Sequence, residues 1–153
     1  MPSDIRATIG GHAIERRLSG KFLGMVLDDK LTFKEHINTV KEKVSKLVGL
    51  FFQLKKMFPL AILNKLYYSL VYPHLNYCIL AWGSFLYPLI TLQKRIARIL
   101  ADSSYNTHSD TLCSQLKKMK IKELFMYHCQ IFMYKIMNLD KYSNFRDEIN
   151  AIQ

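Results

Sequence analysis

The rhythm of hydrophobic positions changes near residue 32. Before it, the pattern is that of short strands. Ile5–Ile9 is a strand candidate, Gly10-Gly11 suits a hairpin turn because glycine tolerates positive φ, and Ala13–Leu18 would return. Lys21–Leu27 reads as a further strand, nearly all apolar from Phe22 on, and Asp28-Asp29-Lys30 as a turn. Beyond it, Phe33, Ile37, Val40, Val44, Leu47, Phe51, Leu54 and Phe58 recur at steps of three and four. That period predicts one helix over 33–57 with a single buried stripe. Thr32 and Glu35 have capping-box spacing at its start.

Pro59 ends this helix and suits the first turn of the next. Leu60–Tyr72 is apolar on nearly all sides, so it is expected to be the most buried helix, broken or kinked at Pro73. His74–Trp82 reads as a short helix stopped by Gly83. Thr91–Leu100 is helical, with Leu92, Ile96 and Ile99 on one face and Lys94, Arg95 and Arg98 gathered on the other. Ala101–Ser109 is a loop, Asp110–Lys117 a short helix, Lys117–Lys122 a basic joint and Ile121–Leu139 the last helix. The expected fold is mainly α: a bundle of about five helices after a small antiparallel β element. Residues 1–31 would be the β part, 32–139 the helical domain and 140–153 a loose tail. Three short strands need a partner surface, which hints at a piece of something larger.

Composition adds a partner class. The chain has 153 residues, half of them apolar, enough for one core. Lys plus Arg number 22 against 12 acids, a formal charge of +10. Such an excess suits a polyanion, though a basic domain without such a partner is equally consistent with it. Cys78, Cys113 and Cys129 are odd in number and widely spaced, which argues against a disulfide scaffold or zinc ribbon and fits a reducing, intracellular compartment. Met1–Gly11 lacks a secretory h-region. The longest charge-free stretch, Leu66–Gln93, carries Pro73, His74, Asn76, Gly83 and Pro88, so no membrane partner is expected.

Catalytic motifs are scarce. His74 and Cys78 stand at i, i+4 and would share a helical face, but two ligands do not make a metal site and core packing is the better reading. Ser84, Ser103 and Ser114 lack a nucleophile elbow. Trp82 and the tyrosines Tyr67, Tyr68, Tyr72 and Tyr77 suit base stacking, although their apolar neighbours favour the core.

Three segments together carry a resemblance. Lys21-Phe22-Leu23-Gly24-Met25-Val26-Leu27-Asp28, with Leu31-Thr32-Phe33 and His36-Ile37 behind it, resembles the aromatic-Leu-Gly strand, turn and helix of reverse transcriptases. Pro73-His74-Leu75-Asn76-Tyr77 with Ala81-Trp82-Gly83 is similar to the P-H-L-x-Y and W-G signature of jockey-like non-LTR retrotransposons. Leu92-Gln93-Lys94-Arg95-Ile96-Ala97-Arg98-Ile99 is similar to that family's L-Q-x-x-A-x-R-I helix. The resemblance spans Ile5 to Leu139 and implies the end of a polymerase palm and its helical thumb.

In that family, upstream carboxylates hold Mg2+ for RNA-directed DNA synthesis. The adjacent acids here, Asp28-Asp29, follow the F-L-G strand instead of preceding it. The expectation is therefore a fragment without catalytic residues or a cofactor of its own, whose natural partner would include the missing amino-terminal polymerase part. The resemblance puts Phe22, Leu23 and Gly24 in a primer grip. Charge and helical face nominate Lys41, Lys55, Lys56, Lys94, Arg95 and Arg98 for phosphate contacts with an RNA–DNA or other duplex, weak and without sequence readout. The alternative is a non-enzymatic, basic helical module that binds protein or itself.

Overall fold

The computed structural model describes residues 8–13, 16–103, 109–139, 142 and 144. Two antiparallel hairpins come first. β1 (Thr8–Ile9) pairs with β2 (His12–Ala13) across Gly10-Gly11, whose φ values are both positive, as expected. The remainder of the first two strand candidates, 5–7 and 14–15, lies outside the described residues. β3 (Ser19–Phe22) pairs with β4 (Met25–Asp28).

This second hairpin corrects the reading of Lys21–Leu27 as one strand. Leu23 and Gly24 form its two-residue turn, with φ of 46° and 84°, and Phe22 and Leu23 stand exposed at its tip. Positive φ at both turn positions matches the right-handed twist of the strands. Leucine resists that conformation, so tertiary contacts must hold it.

Helices make up the rest: α1 (Lys34–Leu54), α2 (Leu60–Leu66), α3 (Tyr72–Asn76), α4 (Ile79–Trp82), α5 (Tyr87–Ala101), α6 (Ser109–Gln115) and α7 (Ile121–Asn138). The fold is mainly α with a small antiparallel β element. α1 keeps most of the predicted stripe: Ile37, Val40, Val44 and Phe51 are buried, Leu47 and Leu54 are half-buried, and Val48, outside the predicted stripe, is buried with them. It ends at Leu54, so Phe58 lies beyond it, and exposed.

The predicted Thr32/Glu35 capping box does not form. Phe33 takes the left-handed conformation at the cap position and no side chain within the cap bonds the helix. The Asp28 carboxylate does that work from the end of β4. It accepts the amides of Thr32 (2.9 Å), Phe33 (2.7 Å) and Lys30 (3.2 Å) and the Thr32 hydroxyl (3.1 Å). These bonds, the Thr32 amide foremost, pull its pKa below the usual value.

The segment 60–72 is not the most buried. Leu60, Ile62 and Tyr68 are exposed, and only Leu63, Tyr67 and Val71 are fully covered. An apolar sequence reports what a helix tolerates, while burial depends on which neighbours arrive. Tyr67–Val71 widens into a π-turn just before Pro73. Proline has no amide to continue the ladder and its ring crowds the carbonyl four residues back, so a local widening accommodates it. The predicted helix 74–82 is two short ones, split where Tyr77 turns extended and Cys78 left-handed. His74 and Cys78 therefore share no helical face.

α1 and α5 lie side by side and run the same way. Phe33 meets Phe85 just before α5 (ring centroids 6.4 Å apart), and Lys55 pairs with Asp102 at the far end. The core between them and α3–α4 centres on Trp82, Phe51, Leu75, Ile79, Leu89 and Ile96, all fully buried. No described helix is long and apolar enough to cross a membrane. Most of the expected tail 140–153, and residues 104–108 of the expected loop, lie outside the described residues.

Candidate nucleic-acid interface

The parallel packing of α1 on α5 leaves a cleft along their carboxy-terminal halves. It holds about 810 Å³ and is lined by Ser45, Val48, Gly49, Phe52 and Lys55 from α1 and its end, with Thr91, Arg95, Arg98, Ile99 and Ser103 from α5 and beyond. Three nominated cations, Lys55, Arg95 and Arg98, thus reach one concave surface. Lys56 stands beside it, its ammonium 5.7 Å from the Phe52 ring centroid. Lys41 lines a neighbouring depression that shares Ser45 with the cleft.

The other nominations fall elsewhere. Lys94 does not gather with Arg95 and Arg98. Helical rotation of ~100° per residue turns it toward Cys113 of α6 and toward Lys120 and Lys122 at the start of α7. Phe22, Leu23 and Gly24 sit at the opposite end of α1, where the Val26 amide donates to His36 Nδ1 (3.4 Å). From His36 to Phe52 along the helix is roughly 24 Å. The hairpin tip and the cleft are therefore separate surfaces.

Sequence reasoning missed the cleft's other partners. Phe52 is 59% exposed and carries the cleft's only aromatic ring among the described residues. Asp102 caps α5 in a left-handed conformation and its carboxylate pairs with Lys55, whose charge is thereby partly neutralised. The hydroxyls of Ser45 and Thr91 line the cleft too, while that of Ser103 donates to the Ala101 carbonyl (3.3 Å). A sequence signal existed for Phe52, because it stands one position off the buried stripe and next to Lys55-Lys56.

The signature residues turn out to be joints. Tyr77 donates its hydroxyl to the Leu23 carbonyl, and its own carbonyl accepts the Trp82 indole N–H (2.9 Å). Trp82 packs edge-on against His36 (5.7 Å). Asn76 Oδ1 meets His128 Nε2 of α7 at 2.6 Å. Gln93, buried in α5, donates to the Tyr67 hydroxyl (3.2 Å) and the Met119 carbonyl (3.0 Å), and accepts the Ile121 amide (2.8 Å). Lys118 is also buried. Its ammonium lies 4.0 Å from the Tyr67 ring centroid and 4.6 Å from that of Tyr68, and desolvation lowers its pKa to about 8.

The described residues do not suit the Mg2+ chemistry that the resemblance implies. Both oxygens of Asp28 are committed to the turn and cap residue before α1, and Asp29 pairs with Arg16 (3.6 Å). No group of three His, Cys, Asp or Glu side chains gathers among the described residues.

A stretch of 106 residues is 26% identical to a protein of Drosophila melanogaster described as the probable RNA-directed DNA polymerase from transposon X-element. It takes in 65% of this chain and 12% of that protein. No family model matches the chain, and no solved structure does. The likeness supports, loosely, a relationship to retrotransposon reverse transcriptases.

Proposed function

We propose that this chain is the thumb-like part of a protein related to retrotransposon reverse transcriptases, and that it binds nucleic acid phosphates in the α1–α5 cleft. The observation that carries the reading is the convergence of Lys55, Arg95 and Arg98 on one concave surface. Cations scattered by sequence need not converge on one surface. The carboxy-terminal ends of α1 and α5 oppose an anion by ~0.3–1 kcal/mol each. A hydrogen bond to a charged group contributes about 1.5–3 kcal/mol, so the cations prevail.

The binding is sequence-independent, since phosphates carry no base information. Lys41 and Lys56 extend the cationic track, and Phe22, Leu23, Gly24 and Lys94 are outlying contacts. No catalytic step is assigned to the chain. Filter binding across a salt series tests the reading. Three phosphate contacts predict roughly 40-fold weaker binding to a duplex, or roughly 20-fold to a single strand, between 50 and 200 mM salt. Arg95→Glu should weaken binding and flatten that slope. Salt-independent binding, or none at low salt, overturns it.

One observation favours a second reading. α7 leaves Met126, Phe132, Met133, Tyr134 and Met137 exposed, which suits a protein-interaction module. Size-exclusion chromatography with and without nucleic acid separates the two: an oligomer indifferent to polyanion favours the module.

A further inference from the structure

We propose that the α1–α5 cleft takes a single-stranded segment, with one base stacked on Phe52 and flanking phosphates held by Arg95 and Lys55. This rests on the nucleic-acid reading above and names its substrate class.

The size of the cleft is the first argument. About 810 Å³ is the scale of a space that encloses one small molecule. A duplex cannot enter it and would touch only the rim. A single strand can turn one base inward.

The second argument is the Phe52 ring. It lies on the cleft wall and is exposed, although burying such a ring is ordinarily favourable. Gly49 stands one turn before it, and a side chain there would meet nothing within 4 Å. The space beside the ring is therefore open. Lys55 follows Phe52 by one turn on the same wall, and Lys56 holds its ammonium at a cation–π distance from the ring. An aromatic platform flanked by cations is the arrangement that stacks a base and holds its phosphates, and it tolerates any sequence because every base has a π-face.

The experiment uses the full chain and fluorescence anisotropy at low salt, with a short labelled oligouridylate and a short RNA–DNA duplex as probes. Phe52→Ala should weaken oligouridylate binding at least about fivefold and leave duplex binding within about twofold. Phe52→Tyr should retain the affinity. Gly49→Leu, which fills the open space without touching a charge, should also weaken oligouridylate selectively. Circular dichroism of each variant checks the fold. No loss with Phe52→Ala, or equal loss for both probes, overturns the stacking inference. If Arg95→Glu still weakens both probes in that case, the phosphate reading survives. If wild type binds neither probe, both fail.

Discussion

The Tyr77 hydroxyl donates a hydrogen bond to the carbonyl of Leu23, at the tip of a hairpin 54 residues earlier in the chain. Its ring also lies under Gly24, where an added Cβ would stand 3.5 Å from it. The F-L-G and P-H-L-x-Y segments are thus two halves of one contact, and that contact holds Leu23 in its left-handed conformation.

At Gly24 the space is adequate and the backbone is not. A Cβ at 3.5 Å is ordinary contact, whereas φ of 84° is unfavourable for an L-residue. Gly24→Ala should therefore destabilise the fold by about 1 kcal/mol through strain alone. Tyr77→Phe should loosen the hairpin without unfolding the helices. Urea denaturation measures the first, and faster amide exchange in β3–β4 reports the second.

Gly83 has the opposite problem. A Cβ there would overlap the Phe125 ring of α7, 2.8 Å from Cγ and nearer still to two other ring atoms. Gly83→Ala should cost about 1–3 kcal/mol by overpacking. Adding Phe125→Leu should recover part of that loss. Additive costs in this double-mutant cycle would show that the two residues do not meet.

Gln93 ties α5 to the start of α7 through two hydrogen bonds and to the Tyr67 hydroxyl through a third. Gln93→Leu keeps the volume and strands the buried Ile121 amide and the half-buried Met119 carbonyl. A loss of about 2–3 kcal/mol is expected in thermal or urea unfolding. A loss below about 0.5 kcal/mol would mean that water replaces the side chain there.

His36 makes the fold acid-sensitive in a defined window. Burial, with Lys43 adding, lowers its pKa below the ordinary 6.5. Its Nδ1 accepts the Val26 amide, so the neutral ring carries its proton on Nε2. The unfolded chain then binds more protons than the folded one. This contribution is fully present above pH 6.5 and is lost as pH falls from there toward the folded pKa. His74 shifts the same way for the same causes, burial first. Tm should fall as pH drops below 6.5, and His36→Gln should flatten that limb.

Asp102 competes for Lys55. Asp102→Asn removes the competing charge and keeps a residue that tolerates left-handed φ. Affinity for oligouridylate should rise about two- to tenfold, with a steeper salt dependence. Unchanged affinity would mean that Lys55 takes no part.

The sequence by itself determined what depends on neighbours a few residues away. The stripe of α1 followed from steps of three and four, the Gly10-Gly11 turn from glycine's freedom at positive φ, and the mainly helical class from both. It also nominated Lys55, Arg95 and Arg98 as cations on polar faces. Only the tertiary structure decided which surfaces those faces share, because convergence depends on how α5 lies along α1. The same holds for the Leu23–Gly24 turn. An apolar run favours one strand locally, and the distant Tyr77 contact supports the hairpin that replaces it. The cap of α1 moved from Thr32 to Asp28 for a related reason, since β4 delivers that carboxylate to the helix start. Local periodicity is encoded in adjacent side chains; a cleft, a cap from another element and a strained turn exist only where distant segments meet.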